Sequence, residues 1–343
     1  MPTESPRLFR AADAEPDRLA GRRVAVIGYG SQGQAQAQNL RDSGIAVVVG
    51  ARPGGRGWEA AVAAGFPVRR VAEAVARADL VALLVPDQAM RAIHEAEVAP
   101  ALRPGMTLVF AHGFNVHFGE IAAPPGVDVV LAAPKGVGPM LRAEYAAGRG
   151  VPGLVAVHQD ASGHALADGV AYLHALGCTR AGVYETTFRE ETEADLFGEQ
   201  AVLCGGVVEL VRAGFDTLVE AGVRPEVAYF ECFHELKLVV DLLYRGGLDL
   251  MHRSISETAG YGGATRGPRV VPAASRAAMR EIMAEIRGGA FAREWLAEQR
   301  QGGGTLAAAR AAARASLLET TGRRVRRLMP WTEEGAAAAQ SEG

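Results

Sequence analysis

The chain is 343 residues long, 49% hydrophobic and 22% charged, with a net charge of −3. That length accommodates two domains with sizeable cores, and a near-neutral balance without a basic stripe excludes nucleic acid and anionic membrane as expected partners. Three scattered cysteines (Cys178, Cys204, Cys232) without a CxxC pair argue against a disulfide framework and fit a reducing compartment. No apolar run approaches the ~20 residues of a membrane span, and the N-terminal stretch carries Pro, Asp and Glu where a signal peptide needs an apolar core. A cytoplasmic protein with no membrane partner is expected.

From residue 22 to about 187, short runs rich in Val and Leu alternate with amphipathic stretches. RVAVIG, IAVVVG, DLVALLV, MTLVFA, VDVVLAA and GLVAVH read as parallel strands buried on both faces of a doubly wound sheet. The first run leads into Gly28-Tyr29-Gly30-Ser31-Gln32-Gly33 and then a helix. In that context the glycines permit a tight turn and let backbone N–H groups approach a pyrophosphate, which points to a dinucleotide. The second strand ends at Val49-Gly50-Ala51 and meets Arg52, where an NAD enzyme usually carries an acid. A guanidinium suits a 2′-phosphate, so NADPH is the expected cofactor, with Arg56 in support. Either arginine could instead be a solvated loop charge.

Three later strands run into residues able to do chemistry: Pro86-Asp87-Gln88, His112-Gly113-Phe114-Asn115 and Pro134-Lys135-Gly136. Each alone could be a capped turn. Their common place at the carboxyl ends of strands, where open α/β sheets bind ligands, marks a site.

From about residue 188 strand-like runs give way to long helical segments. The expected organisation is a Rossmann domain over 1–187, an all-α domain over 188–333 and a disordered Ala/Gly/Ser-rich tail over 334–343. In the helical part Asp195 and Glu199 are four residues apart, as are Glu231 and Glu235, so each pair shares a helix face. Their neighbours are apolar, and carboxylates so placed need a compensating cation. An all-oxygen donor set favours Mg²⁺ or Mn²⁺, and two pairs could hold two ions ~3.5–4 Å apart. The bland reading is acids on solvent-facing rims, the role expected of Glu190, Glu191 and Glu193.

Taken together, GYGSQGQAQAQNLRDSG, FAHGFNVHFG, APKGVG, EYAAGRGVPGLVAVHQDASG, EETEADLFGEQAVLCGG, ECFHELKLVVDLLYRGG, SISETAGYG and FAREW resemble the short, class I ketol-acid reductoisomerases over residues 18 to 332. The resemblance implies an α/β Rossmann domain followed by an all-α, knotted helical domain. It implies conversion of 2-acetolactate and 2-aceto-2-hydroxybutyrate with NADPH and two Mg²⁺ ions, in an enzyme that is at least a homodimer. It makes Asp195 the bridging metal ligand, Glu199 a ligand of the first ion, and Glu231 and Glu235 ligands of the second, with Glu231 from the same or a partner subunit. It makes His112 the active-site histidine, sets Lys135 in the segment facing the metals, and makes Ser256 the substrate-binding serine. Tyr29 to Gln32, Asp87, Gln88, Ala89, Met90 and Gly138 match cofactor contacts.

The chain departs from the family where two serines usually bond the 2′-phosphate, at Gly55 and Gly57. The loss of two hydroxyl donors leaves use of NADH open. Val137 to Leu141 are more apolar than the family pattern, and Glu257 and Gly260 flank Ser256 differently. A specialised paralogue acting on a related 2-hydroxy-3-keto acid, or a non-catalytic cofactor-binding relative, are the alternatives. A metal-independent β-hydroxyacid dehydrogenase gives no reason for the carboxylate pairs.

Overall fold

All six apolar runs form strands. In the structure, a computed structural model describing residues 5–341, they are β2 (Arg23–Ile27), β3 (Ala46–Gly50), β5 (Leu80–Leu83), β6 (Thr107–Phe110), β7 (Asp128–Pro134) and β8 (Gly153–Gln159). Short strands β1 (Leu8–Phe9), β4 (Val68–Arg69) and β9 (Val183–Glu185) complete the sheet, in the order β1-β9-β8-β7-β6-β5-β2-β3-β4. Strands β4 to β7 are mutually parallel in the dinucleotide-fold order. Strand β8 runs antiparallel to β7, against the parallel expectation, and β1 runs antiparallel to β9. A run of apolar residues records burial, not direction. Direction is set by the connection, here helix α6 (Gly138–Ala146) and a short return.

The period of two divides the strands between two cores. Val24, Val26, Leu80 and Ala82 face one cluster with Leu40, Tyr172 and Leu173, while Ala25, Ile27, Val81 and Leu83 face the other with Val98, Met106 and Phe110. The first layer is α1 (Ser31–Asp42) and α7 (Ala165–Ala175). The second includes α3 (Val71–Val75) and α4 (Asp87–Ile93). Short helices α2 (Arg56–Ala63) and α5 (Phe114–His117) sit at the carboxyl ends of β3 and β6.

Two compact units divide at 194/195, inside helix α8 (Phe188–Gly198) rather than before it. Phe188, Glu191 and Thr192 on the first turns of α8 are buried, which ties that end to the first unit. The described residues of the second unit are helical: α9 (Gly206–Glu220), α10 (Pro225–Tyr229), α11 (Glu235–Ser254), α12 (Glu257–Val270), α13 (Ala273–Arg287), α14 (Ala290–Arg300), α15 (Gly304–Ala315), α16 (Leu317–Arg326) and α17 (Glu333–Ser341). Its small core joins Phe215, Ala228, Tyr229 and Val325 from α9, α10 and α16.

Helix α17 stands where the sequence suggests a disordered tail, and residues 342–343 lie outside the described residues. Alanine has the highest helix propensity, Gly335 N–H donates to Thr332 Oγ1 (3.1 Å), and Glu334 pairs with Arg326 (3.0 Å). No helix among the described residues is long and apolar enough to cross a membrane.

Candidate active site

Strand β2 delivers the glycine loop to the switch point between β2 and β5. Gly28 has φ +94°, a region that favours glycine, and its N–H donates to Gly50 O (2.9 Å). A Cβ at Gly33 would fall on the Gly28 carbonyl oxygen, so the third glycine lets α1 pack against the turn. Gly30 is the N-cap of α1 and no side chain caps this end. The first N–H groups of a twelve-residue helix are thus left for an external acceptor, which fits a pyrophosphate.

The loop opens onto a cleft of about 1040 Å³. Gly28, Tyr29, Gly30, Ser31, Gln32, Arg52, Gly55, Arg56 and Gly57 line it, and Gly33 packs against the turn of Gly28. Gln32 donates to Gly136 O (2.9 Å), and buried Gly138 packs so closely that a Cβ there would meet the Ser31 backbone. These contacts join the glycine loop to the end of β7. Among residues 86–90 it is Pro86 that lines the cleft. Met90, expected as a cofactor contact, is 4% exposed and packs in the second core, so its side chain is unavailable. Asp87, at the start of α4, is held by Asn115 Nδ2 (3.2 Å to Oδ1), which ties the ends of β5 and β6 together; exposed Gln88 and half-buried Ala89 follow on the same turn.

Other cleft residues lie beyond those the sequence marks, two of them charged. Arg70 follows β4, Glu97 lies one turn past α4, and Trp58 sits on α2. No ion pair engages Arg52, Arg56 or Arg70 among the described residues. Only tertiary packing brings Arg52, Arg70 and Glu97 around one cleft.

A second constellation forms around Glu191. Its side chain is 1% exposed, and its carboxylate accepts from Gly113 N–H (3.0 Å), meets His112 Nδ1 (3.2 Å) and pairs with Lys135 Nζ (3.5 Å). A carboxylate facing Nδ1 accepts, so the tautomer that suits this contact carries its hydrogen on Nδ1 and leaves Nε2 as the ring's acceptor. Gly113 is required here because a Cβ would strike Thr192 Oγ1 and the Phe188 carbonyl on α8. The reading of Glu190, Glu191 and Glu193 as solvated acids therefore holds only for exposed Glu190. Glu191 and Glu193 are 2% and 6% exposed. Glu193 pairs with Arg189 (3.6 Å) and its field opposes the burial that lowers the His117 pKa.

Asp195 follows one helical turn after Glu191. Ligand atoms of His112, Glu191 and Asp195 lie within 4.8 Å of one another, the single such group of three among the described residues. Glu199, Glu231 and Glu235 do not join such a group and are exposed. Glu199 opens a π-helical turn (Glu199–Leu203), Glu231 lies in another (Phe230–His234), and Glu235 begins α11. Widened turns of this kind recur at functional positions. Four carboxylates supply oxygen donors alone, which fits a hard divalent ion. Ser256 is exposed and caps α12, its Oγ accepting from Ala259 N–H (3.1 Å), which leaves the hydroxyl hydrogen free to donate.

Residues 18–182 match the acetohydroxy acid isomeroreductase NADPH-binding domain, and residues 188–331 match the ketol-acid reductoisomerase C-terminal domain. An NADH-preferring ketol-acid reductoisomerase from an uncultured archean is 44% identical, with a TM-score of 0.92 over 94% of this chain and 99% of that one. A semialdehyde dehydrogenase NAD-binding protein from Cupriavidus necator is 20% identical, with a TM-score of 0.59 over 78% of this chain and 98% of its own, a likeness of fold alone. With both domains matched in order and the similar enzyme spanning nearly the whole chain, this protein belongs to the ketol-acid reductoisomerase family and is an oxidoreductase of branched-chain amino-acid biosynthesis.

Proposed function

We propose that the chain carries out the Mg²⁺-dependent conversion of 2-acetolactate, and of 2-aceto-2-hydroxybutyrate, to the corresponding 2,3-dihydroxy-3-methyl acids, with NADPH as reductant. The observation that carries this reading is the buried Glu191 carboxylate, which fixes His112 and Lys135 at the strand ends beside Asp195. A buried acid held by three donors is a costly arrangement for a merely structural turn.

Asp195 would bridge two ions, with Glu199 on the first and Glu231 and Glu235 on the second. When bound, the ions supply Lewis acidity for the alkyl shift and the nicotinamide supplies the hydride. The chain itself does the orienting. Glu191 holds the His112 ring so that Nε2 can take or give a proton at a substrate oxygen. Lys135, steadied by Glu191, offers ammonium N–H donors to a developing negative charge. Ser256 donates its hydroxyl hydrogen to the substrate while its oxygen caps α12.

Arg52, Arg56 and Arg70 favour a 2′-phosphate in the cleft. Gly55 and Gly57 bring no hydroxyl there, and the archean relative prefers NADH, so use of both cofactors is a second reading with its own support. Exposed Phe230 and Phe233, flanking Glu231, support a homodimer in which a second copy covers the carboxylate helices. A cytoplasmic location agrees with three free cysteines.

The test is oxidation of NADPH and of NADH with each acetohydroxy acid, with and without Mg²⁺. Turnover should require Mg²⁺ and stop on chelation. Metal-independent turnover, or none with either substrate, would overturn the proposal.

A further inference from the structure

We infer that Glu97 reads the 6-amino group of the cofactor's adenine, an assignment that rests on the cleft being the dinucleotide site. The pyrophosphate belongs at the uncapped start of α1, and Arg52 at the end of β3 marks the ribose that follows. Beyond Arg52, the next wall is built by Arg70 and Val71 after β4, and by Ile93 and Glu97 from the last turn of α4 and the turn after it. Val71 and Ile93 give that end apolar sides suited to a flat base. Glu97 is the single acid lining a cleft that holds three guanidinium groups.

Glu97 is half-buried, and its side chain makes no hydrogen bond or ion pair among the described residues. A carboxylate has acceptors only, so the partner it lacks is a donor. In an adenine nucleotide the donor at the base edge is the 6-amino group. The phosphates carry none, and the ribose hydroxyls, the other donors, belong beside Arg52 at the end of β3, one strand away from the wall that holds Glu97.

The test is direct binding, read from the fluorescence of the reduced nicotinamide, of NADPH and of its unsubstituted-purine analogue, in which hydrogen replaces the amine. The wild-type chain should bind the analogue about tenfold or more weakly, since the charge-assisted hydrogen bond from the amine is lost and the purine edge offers acceptors alone. In Glu97→Gln, whose amide can turn to offer either an acceptor or a donor, the two Kd values should converge to within about twofold. In Glu97→Ala the discrimination should also vanish. Equal binding of both nucleotides by the wild-type chain, or a tenfold preference that survives in Glu97→Ala, would overturn the inference while leaving the cleft as the cofactor site. Failure of the wild-type chain to bind NADPH or NADH at all would overturn both.

Discussion

In the proposed reaction centre the organising side chain is Glu191, and it acts through others. Its two oxygens serve one backbone N–H, one imidazole and one ammonium. Glu191→Gln preserves the shape but turns one acceptor oxygen into a donor that faces Lys135 or His112. We expect kcat to fall by roughly 10²-fold, the scale of a lost acid–base contribution, while the Kd for NADPH in a fluorescence titration stays unchanged. Activity within twofold of wild type would show that His112 and Lys135 are oriented by something else. Cofactor choice is a second matter of single residues. A Cβ at Gly57 would lie 3.5 Å from the Tyr29 side chain, an ordinary contact, whereas one at Gly55 would lie 3.2 Å from the Arg52 carbonyl and require it to give. Gly57→Ser should therefore be accepted without strain and add a hydroxyl donor at the ribose. Its kcat/KM ratio of NADPH over NADH should rise about threefold, within the range of one neutral hydrogen bond. An unchanged ratio would mean that the arginines already saturate the phosphate.

Among elements, α7 is pinned to the chain leading into β2 by a buried carboxylate. Asp168, 3% exposed, accepts from Arg18 Nε and Arg22 Nη1, both at 2.6 Å, and Arg22 Nη2 reaches Thr107 on β6 (3.4 Å). These pairs are largely withdrawn from water, unlike the exposed helix pairs Lys237–Asp241 and Arg253–Asp249, which contribute little. Asp168→Ala leaves two guanidinium groups without their partner. It should lower stability by about 3 kcal/mol and reduce Tm by several degrees, with kcat at low temperature near that of wild type. A Tm unchanged within a degree would show that Arg18 and Arg22 find equal partners in solvent.

Considered as a whole molecule, the chain leaves its second unit with much apolar surface uncovered. Helices α11 to α15 have two buried residues among those described, Ile286 on α13 and Ala292 on α14, while Leu238, Tyr244, Leu248 and Tyr261 are exposed. Monomers rarely expose apolar surface on this scale, and the remedy that needs no other partner is a second copy of the same surface. Light scattering at micromolar concentration should return a multiple of the 36.0 kDa chain mass, at least about twice it. A monomer of full activity would refute the proposed assembly and would require Glu231 and Glu235, if they are metal ligands as proposed, to act within one chain.

Much of this protein was legible before folding was considered. The glycine loop, the six main strands and the carboxylate pairs are local patterns, since a turn, a pleat and a helix face are set by spacings of two to four residues. Spacing also marked Asp195, and its place at the end of a strand marked His112, as candidates for chemistry. What it could not supply was which acids would be buried. Glu190, Glu191 and Glu193 lie side by side, and only the close approach of α8 to Gly113, allowed by a missing Cβ, makes the middle one a buried hub. Likewise Met90 and Pro86 look equally available in sequence, but α4 turns the first into the core and leaves the second on the cleft. The antiparallel placement of β8, and the meeting of Arg52, Arg70 and Glu97 around one cleft, were decided by tertiary structure. Direction and distant proximity depend on how layers pack, and that is a property of the whole sheet rather than of any segment in it.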